Sequence, residues 1–318
     1  MPELPEVETV RRALAGTVPG RTIRGVRVSR HALRGASLRP LPARLAGRTV
    51  KSVGRTGKYL LFDLDGGRTL LSHLGMSGRW LFHATTPDET LRHEHIRITF
   101  TDGSVLRFED PRRFGLARVV ATDRLARDPS LRVLGADPVA EPFTGERLRA
   151  LARGTRLSVK EFLLDQRRIA GIGNIYASEI LHRARVHPRI PAGRVAPDAW
   201  DAIAREIGAV LGEAIERMGT TFQLYRTLWN EPGAYGERLL VYDRAGERCR
   251  TCGGPVARIV QGARSTFFCP VCQPRRPGPG HGGPVRKAAS PPVRKASRPR
   301  RARLRPQSSG VREISRKS

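Results

Sequence analysis

Three kinds of hydrophobic spacing follow one another along the chain of 318 residues. The first fifteen residues place Val7, Val10, Ala13 and Leu14 at helical intervals behind Pro2 and Pro5, with Glu3, Glu6 and Glu8 early. That pattern predicts a short helix with its acidic end first. From about residue 21 to 121 the period shortens to alternation in brief runs, Thr22 to Val28, Lys58 to Asp63, Thr69 to His73, His95 to Phe100 and Val105 to Phe108. Asp65-Gly66 and Asp102-Gly103 read as hairpin turns between them, so the stretch predicts an all-β sandwich. Past the Gly- and Pro-containing segment from Gly135 to Pro142 the spacing turns helical again. Helices are expected over Gly145 to Arg153, Val159 to Gln166, Asn174 to Ala184 and Pro197 to Met218. Residues 237–273 form a small β unit with paired cysteines, and the chain after Gln273 is so rich in Pro, Gly, Ser, Arg and Lys that disorder is expected there. The fold class is therefore α+β and multidomain: a β-sandwich with a leading helix over 1–134, helices over 135–236, a cysteine unit over 237–273 and a basic tail over 274–318.

Charge narrows the class of partner. Lys and Arg number 58 against 29 Asp and Glu, a net +29, which suits a polyanion and makes nucleic acid the leading candidate. A ribosomal protein or a membrane-surface binder would share that balance. The tail alone holds 14 Lys and Arg against Glu313, with Pro-Val-Arg-Lys-Ala at Pro284 to Ala288 and again at Pro292 to Ala296, a composition for nonspecific phosphate attraction. No apolar run approaches the roughly 20 residues of a membrane span, and the N-terminus is acidic where a signal peptide is basic, so a cytoplasmic location is expected.

The cysteines carry the most specific local signal. Cys249, Cys252, Cys269 and Cys272 give C-x2-C, sixteen residues, then C-x2-C, the spacing with which two knuckles close a tetrahedral four-thiolate zinc site. Four protein ligands leave no open position, so one structural Zn2+ is expected, with two disulfides as the alternative. The intervening hairpin presents Arg264 at its tip, suited to a phosphate or equally to solvent. Gly171-Ile172-Gly173-Asn174 opens a helix and exposes backbone N–H groups, an anion site or an ordinary tight turn. Lys58 leaves a glycine-containing turn, and Met76 and the run Asp110-Pro111-Arg112-Arg113-Phe114-Gly115 lie in turns between strands. There they would serve as wedges into a base stack or cover a sheet edge. Removal of Met1 would expose the secondary amine of Pro2, a competent Schiff-base nucleophile beside a carboxylate, Glu3. Pro2 is also an ordinary first-turn helix residue.

Taken together, Met1 to Thr9, Gly57 to Leu60, His73 to Gly78, Asp110 to Gly115, Gly171 to Glu179 and the cysteine hairpin resemble, in order, the motifs of the formamidopyrimidine-DNA glycosylases of the Fpg/Nei group, from Met1 to about Gln273. The resemblance implies a bifunctional glycosylase and AP lyase of base excision repair, acting as a monomer on duplex DNA with oxidised purines. In it Pro2 attacks C1′, Glu3 is the acid/base partner and Lys58 holds a phosphate and assists catalysis. Asn174 and Arg264 pinch the phosphates around a flipped nucleotide. Met76, Arg112 and Phe114 fill the void, Arg112 facing the orphaned base, and His93 contacts the DNA backbone. The helical part resembles the family's helix-two-turn-helix. Thr220 to Tyr235 departs from the polar loop that contacts the lesion, while Leu4 favours the purine branch over the endonuclease VIII branch. An endonuclease VIII-like enzyme for oxidised pyrimidines, or a damage-binding protein without chemistry, are the rival readings.

Overall fold

In the computed structural model, which describes residues 1–275 apart from 35, 88–91 and 222–224, the leading helix is the element that two cores share. Helix α1 (Leu4–Ala15) buries Val7, Val10 and Leu14 in the sandwich, while Leu4, fully enclosed, belongs to the helical core beyond it. Enclosing one such leucine is worth about 2 kcal/mol, so both cores hold the helix in place. Glu6 reaches back to the Glu3 N–H (2.7 Å) and fixes the first turn.

The sandwich comprises two antiparallel four-stranded sheets. One has the order β2 (Val50–Thr56), β3 (Tyr59–Leu64), β4 (Arg68–His73), β8 (Leu116–Ala121). The other has the order β1 (Ile23–Val28), β6 (Glu94–Phe100), β7 (Val105–Glu109), β5 (Arg79–His83). Ile96, Ile98, Leu106, Phe108 and Trp80 point inward from the second sheet to meet Leu60, Phe62 and Leu70 of the first. The short helix α2 (Leu41–Leu45) closes one end through Leu41 and Leu45. The Asp65-Gly66 turn joins β3 to β4 and the Asp102-Gly103 turn joins β6 to β7. Strands β2, β5 and β8 were absent from the alternating runs in the sequence. Val50–Thr56 interleaves lysine, glycine and arginine with its valines, and β5 is only five residues long.

The helical part consists of α3 (Gly145–Leu151), α4 (Val159–Leu164), α5 (Asn174–Arg183) and α6 (Pro197–Glu216), close to the expected spans. Thr144 and Ser158 cap α3 and α4, and Glu161 completes a capping box on Ser158. Helix α5 is nearly enclosed, with Tyr176, Ala177 and Ile180 against Ile207 and Leu211 of α6. The chain then turns back: Tyr225 and Leu228 enter the sandwich core, and Phe82 N–H donates to the Leu228 carbonyl (3.3 Å). The hairpin of β9 (Ala257–Gln261) and β10 (Arg264–Phe268) completes the described chain. No helix among the described residues is long and apolar enough to cross a membrane. The expected disordered tail lies, from residue 276 on, outside the described residues.

Candidate active site and zinc centre

The glycines before α5 make room for α1. A Cβ on Gly171 would lie 2.5 Å from the Leu4 side chain, and one on Gly173 would lie 2.2 Å from the Glu3 carboxyl carbon. Glu3, 3% exposed, thereby sets its carboxylate on the amino end of α5, accepting from Ile175 N–H (3.0 Å) and Tyr176 N–H (3.4 Å). Of the two readings the sequence left open, an anion site or an ordinary tight turn, the helix start is the first, and the anion seated on those amides is the chain's own carboxylate. Asn174 is the first helical residue and Gly173 the cap. The Asn174 side chain is turned instead to the hairpin, Nδ2 donating to the Ser265 carbonyl (2.9 Å).

Around Glu3 opens a cleft of about 540 Å³ lined by Met1, Met76, Arg112, Asn174, Tyr242 and Arg264, among others. A neighbouring recess of about 370 Å³ shares Met1 and Arg264 and adds Lys58, His73, Tyr59 and Arg34. Pro2 is buried beneath Met1, which is exposed and lines both spaces. Lys58, 7% exposed, donates to the Ile172 carbonyl (3.2 Å). Burial pushes its pKa below the usual lysine value, with Arg264 adding to the push and Glu3 and Glu6 opposing it. Glu6 is enclosed at the base of the site, accepting from Tyr176 Oη (2.5 Å) and Thr220 N–H (2.7 Å). Burial first and the charge of Glu3 second raise its pKa. His73 accepts the Gly75 N–H at Nδ1 (2.8 Å), and burial holds the ring neutral, its pKa pushed down to about 3.

Met76 and Phe114 stand 40% and 45% exposed on loops at the rim, and the Arg112 guanidinium lies over the Phe114 ring at 4.8 Å. The two loops are tied below: the Asp110 carboxylate accepts from Ser77 Oγ (2.5 Å) and Gly115 N–H (2.7 Å). A Cβ on Gly75 (φ +64°) would run into the Phe114 backbone at 2.4 Å, so only glycine lets the loops close on each other. His93 does not line the cleft. It is half-buried just before β6, its carbonyl accepting the Asp110 N–H (3.0 Å).

The opposite wall is the hairpin. Gly262 and Ala263 both have positive φ and form its two-residue turn, leaving Arg264 exposed at the tip. Lys160 of α4 fastens it from behind, Nζ donating to the Ser265 carbonyl (3.1 Å) and Thr266 Oγ1 (2.6 Å). Burial, with Arg264 second, pushes the Lys160 pKa down to about 8. Glu179 of α5 accepts from three successive backbone N–H groups, Leu240 (2.8 Å), Val241 (3.0 Å) and Tyr242 (2.8 Å), which sets Tyr242 at the cleft. At the hairpin base Cys249, Cys252, Cys269 and Cys272 converge with one ligand atom each, all within 4.8 Å of one another. Sγ separations of 3.9 Å for Cys249–Cys272 and 3.4 Å for Cys252–Cys269 are far beyond a disulfide bond. They suit the edges of a thiolate tetrahedron around one Zn2+.

Residues 1–117 match the model of the formamidopyrimidine-DNA glycosylase N-terminal domain, 134–226 that of the same family's H2TH domain, and 246–275 a zinc finger found in FPG and IleRS. The chain belongs to the formamidopyrimidine-DNA glycosylase family. Family members from Methylococcus capsulatus and Bordetella pertussis are 42% identical over 273 residues and 44% over 278. In both cases 86% of this chain covers 100% of the relative. Among solved structures, Lactococcus lactis Fpg in complex with DNA containing an abasic site superposes with a TM-score of 0.79 at 31% identity, covering 86% of this chain and 99% of that one. MutM in complex with DNA containing carbocyclic 8-oxo-G superposes at 0.78 with 32% identity, covering 86% and 100%. The four cysteines are therefore the zinc site of the family's finger. The sequence motifs did not include Tyr242 of this family member's cleft or Arg34 of the neighbouring recess. Tyr242 arrives through Glu179, a contact 63 residues apart in sequence that no local pattern announces.

Proposed function

We propose that the cleft performs the family's chemistry on Pro2 and Glu3. As a member of its family, the chain is a DNA glycosylase of base excision repair acting on oxidised purines, and AP lyase activity is typical of that family. The observation that carries the residue assignment is the carboxylate of Glu3. It is fixed on the N-terminus of α5 one residue from Pro2, in a cleft that also gathers Asn174 and Arg264.

Once the Met1–Pro2 bond is cut, the Pro2 nitrogen is a secondary amine beside that carboxylate. Its lone pair forms a bond to C1′ of an extruded nucleotide as the bond from C1′ to the damaged base breaks, and the base departs with a proton. Glu3 moves protons at the sugar. The nitrogen lone pair then forms an iminium with C1′ as the C1′–O4′ bond breaks and O4′ takes a proton from Glu3, opening the sugar; the iminium acidifies the C2′ hydrogen, so the 3′ and then the 5′ phosphate leave by β and δ elimination and a one-nucleotide gap remains. Arg264, Asn174 and Lys58 hold the phosphates, while Met76, Arg112 and Phe114 occupy the vacated stack and His93 touches the backbone outside the cleft. Zinc supplies no step; it holds the hairpin that carries Arg264.

The four-unit division at residues 134, 236 and 273, work as a monomer, and a cytoplasmic location on chromosomal DNA belong to the same proposal. Duplexes with 8-oxoguanine opposite cytosine and with thymine glycol separate the two branches. Strand cleavage that leaves phosphates on both sides of the gap in the first duplex is expected. Cleavage of the thymine glycol duplex alone would transfer the chain to the pyrimidine branch.

A further inference from the structure

Lys58 is delivered to the site by a two-residue turn, Gly57-Lys58, between β2 and β3, with Gly57 at φ +56°. The turn has little room, since a Cβ on Gly57 would lie 3.3 Å from the Ala170 Cβ and 3.5 Å from Leu134. What holds it is a buried ionic cluster outside the cleft. The Arg55 guanidinium, its side chain 5% exposed, donates to Glu8 Oε2 (2.9 Å), to the Gly57 carbonyl (2.8 Å) and to both oxygens of Asp137, Oδ1 at 3.2 Å and Oδ2 in closer contact. Asp137 Oδ2 also accepts the Gly57 N–H (2.9 Å), so one carboxylate grips the turn through its backbone and through the arginine that spans it.

Asp137 sits on the strap between the sandwich and the helices. Its Oδ1 accepts the Val139 N–H (3.0 Å), which fixes the carboxylate on its own segment. The strap is bonded in turn to the loop that leads into α5: Gly135 N–H donates to the Gln166 carbonyl (2.8 Å), and Ala170 N–H to the Ala136 carbonyl (2.9 Å). That loop ends at Ile172, whose carbonyl receives both Lys58 Nζ (3.2 Å) and Gln166 Nε2 (2.7 Å), two residues before Asn174. The ammonium of Lys58 and the carbonyl that orients it are therefore carried by different segments, and the strap is bonded to both, to the turn through Asp137 and to the loop through Gly135 and Ala136.

We propose that Asp137 is a positioning residue for the site: with Arg55 it sets the Gly57-Lys58 turn against the 166–172 loop, and so fixes the Lys58 ammonium relative to Glu3 and Asn174. The inference rests on the assignment of Lys58 to the reaction. A carboxylate outside the cleft that acted only on stability would lower the melting temperature and leave the rate of the folded enzyme unchanged. One that acts through Lys58 changes the rate, and only while Lys58 is present.

The test is a double-mutant cycle in the full-length, zinc-loaded protein, read as single-turnover excision on an 8-oxoguanine:cytosine duplex and as affinity for a duplex with an uncleavable abasic analogue. Asp137→Asn is expected to slow excision on the order of tenfold while affinity stays within about twofold, and to have almost no further effect in a Lys58→Ala background. Arg55→Lys, which keeps the charge and loses the planar fork, serves as the second arm should Asp137→Asn fail to fold, with the same non-additivity expected. Equal slowing in both backgrounds, or no slowing in the Lys58-containing protein, overturns the proposal. A Lys58→Ala protein with an unchanged rate overturns the assignment of Lys58 and this proposal with it, whereas additive losses overturn this proposal alone.

Discussion

The floor of the cleft and its rim are built in opposite ways. Glu3 in the cleft and Lys58 in the recess beside it are 3% and 7% exposed, and their polar atoms are held by backbone groups at and just before the α5 start. Met76 and Phe114 are about as apolar as any core residue, yet stand 40% and 45% exposed on two loops that Asp110 ties together below. Under the proposed mechanism, the groups assigned to the reaction are pre-oriented at the floor, at the cost of burying ionisable side chains, and the groups assigned to the base stack stand exposed above it. The hydrophobic rim is therefore an exposed surface, and the floor is held in place by the fold itself.

Substitutions at the floor should consequently act on the chemical step, and those at the rim on capture of the extruded state. Glu3→Gln keeps the shape of the group and removes its proton-accepting capacity, so base excision is expected to fall by about a thousandfold or more in single-turnover assays with the fold retained. A retained rate would place the chemistry elsewhere. Phe114→Ala or Met76→Ala should lower excision from duplex DNA by about tenfold while lyase cleavage of a preformed abasic site, which needs less extrusion, changes less. Equal losses on both substrates would erase the distinction between floor and rim.

The smallest effect concerns stability and tests whether the floor is held from below. Glu8 bridges Arg55, Arg11 and Arg12, and although burial opposes it, these hydrogen bonds bring its pKa down to about 2 from the ordinary 4.5. A depressed carboxylate contributes stability that is full above its unfolded pKa and is lost as pH falls through the folded value. Denaturant unfolding should thus show falling stability between about pH 4.5 and 2, and Glu8→Gln should flatten that decline. An unchanged slope would remove Glu8 from the support of the turn that carries Lys58.

The sequence disclosed these regions unequally. The four helices of the second unit were legible because amphipathic periods over six to twenty residues bury a continuous stripe, as Trp200, Ile203, Ile207 and Leu211 do in α6. The cysteine spacing predicted the zinc site because the donor set determines the geometry. Chemistry at the α5 start was legible as an anion site, but its occupant was not, since Glu3 lies 172 residues from Ile175. For the same reason no local pattern announced that Tyr225 and Leu228, beyond the last long helix, pack into the sandwich core. The glycines of Gly171-Ile172-Gly173 look like a turn in isolation; only the approach of Leu4 and Glu3 explains why neither tolerates a Cβ.

The central claim is that the floor of the cleft is a Schiff-base site centred on Pro2, and the direct measurement is borohydride trapping of the protein on an 8-oxoguanine:cytosine duplex, followed by peptide mapping of the cross-link by mass spectrometry. The account predicts a covalent adduct on the nitrogen of Pro2 in protein that has lost Met1. An adduct mapped to Lys58 or another lysine, or no adduct from a protein that still excises the base, would contradict it.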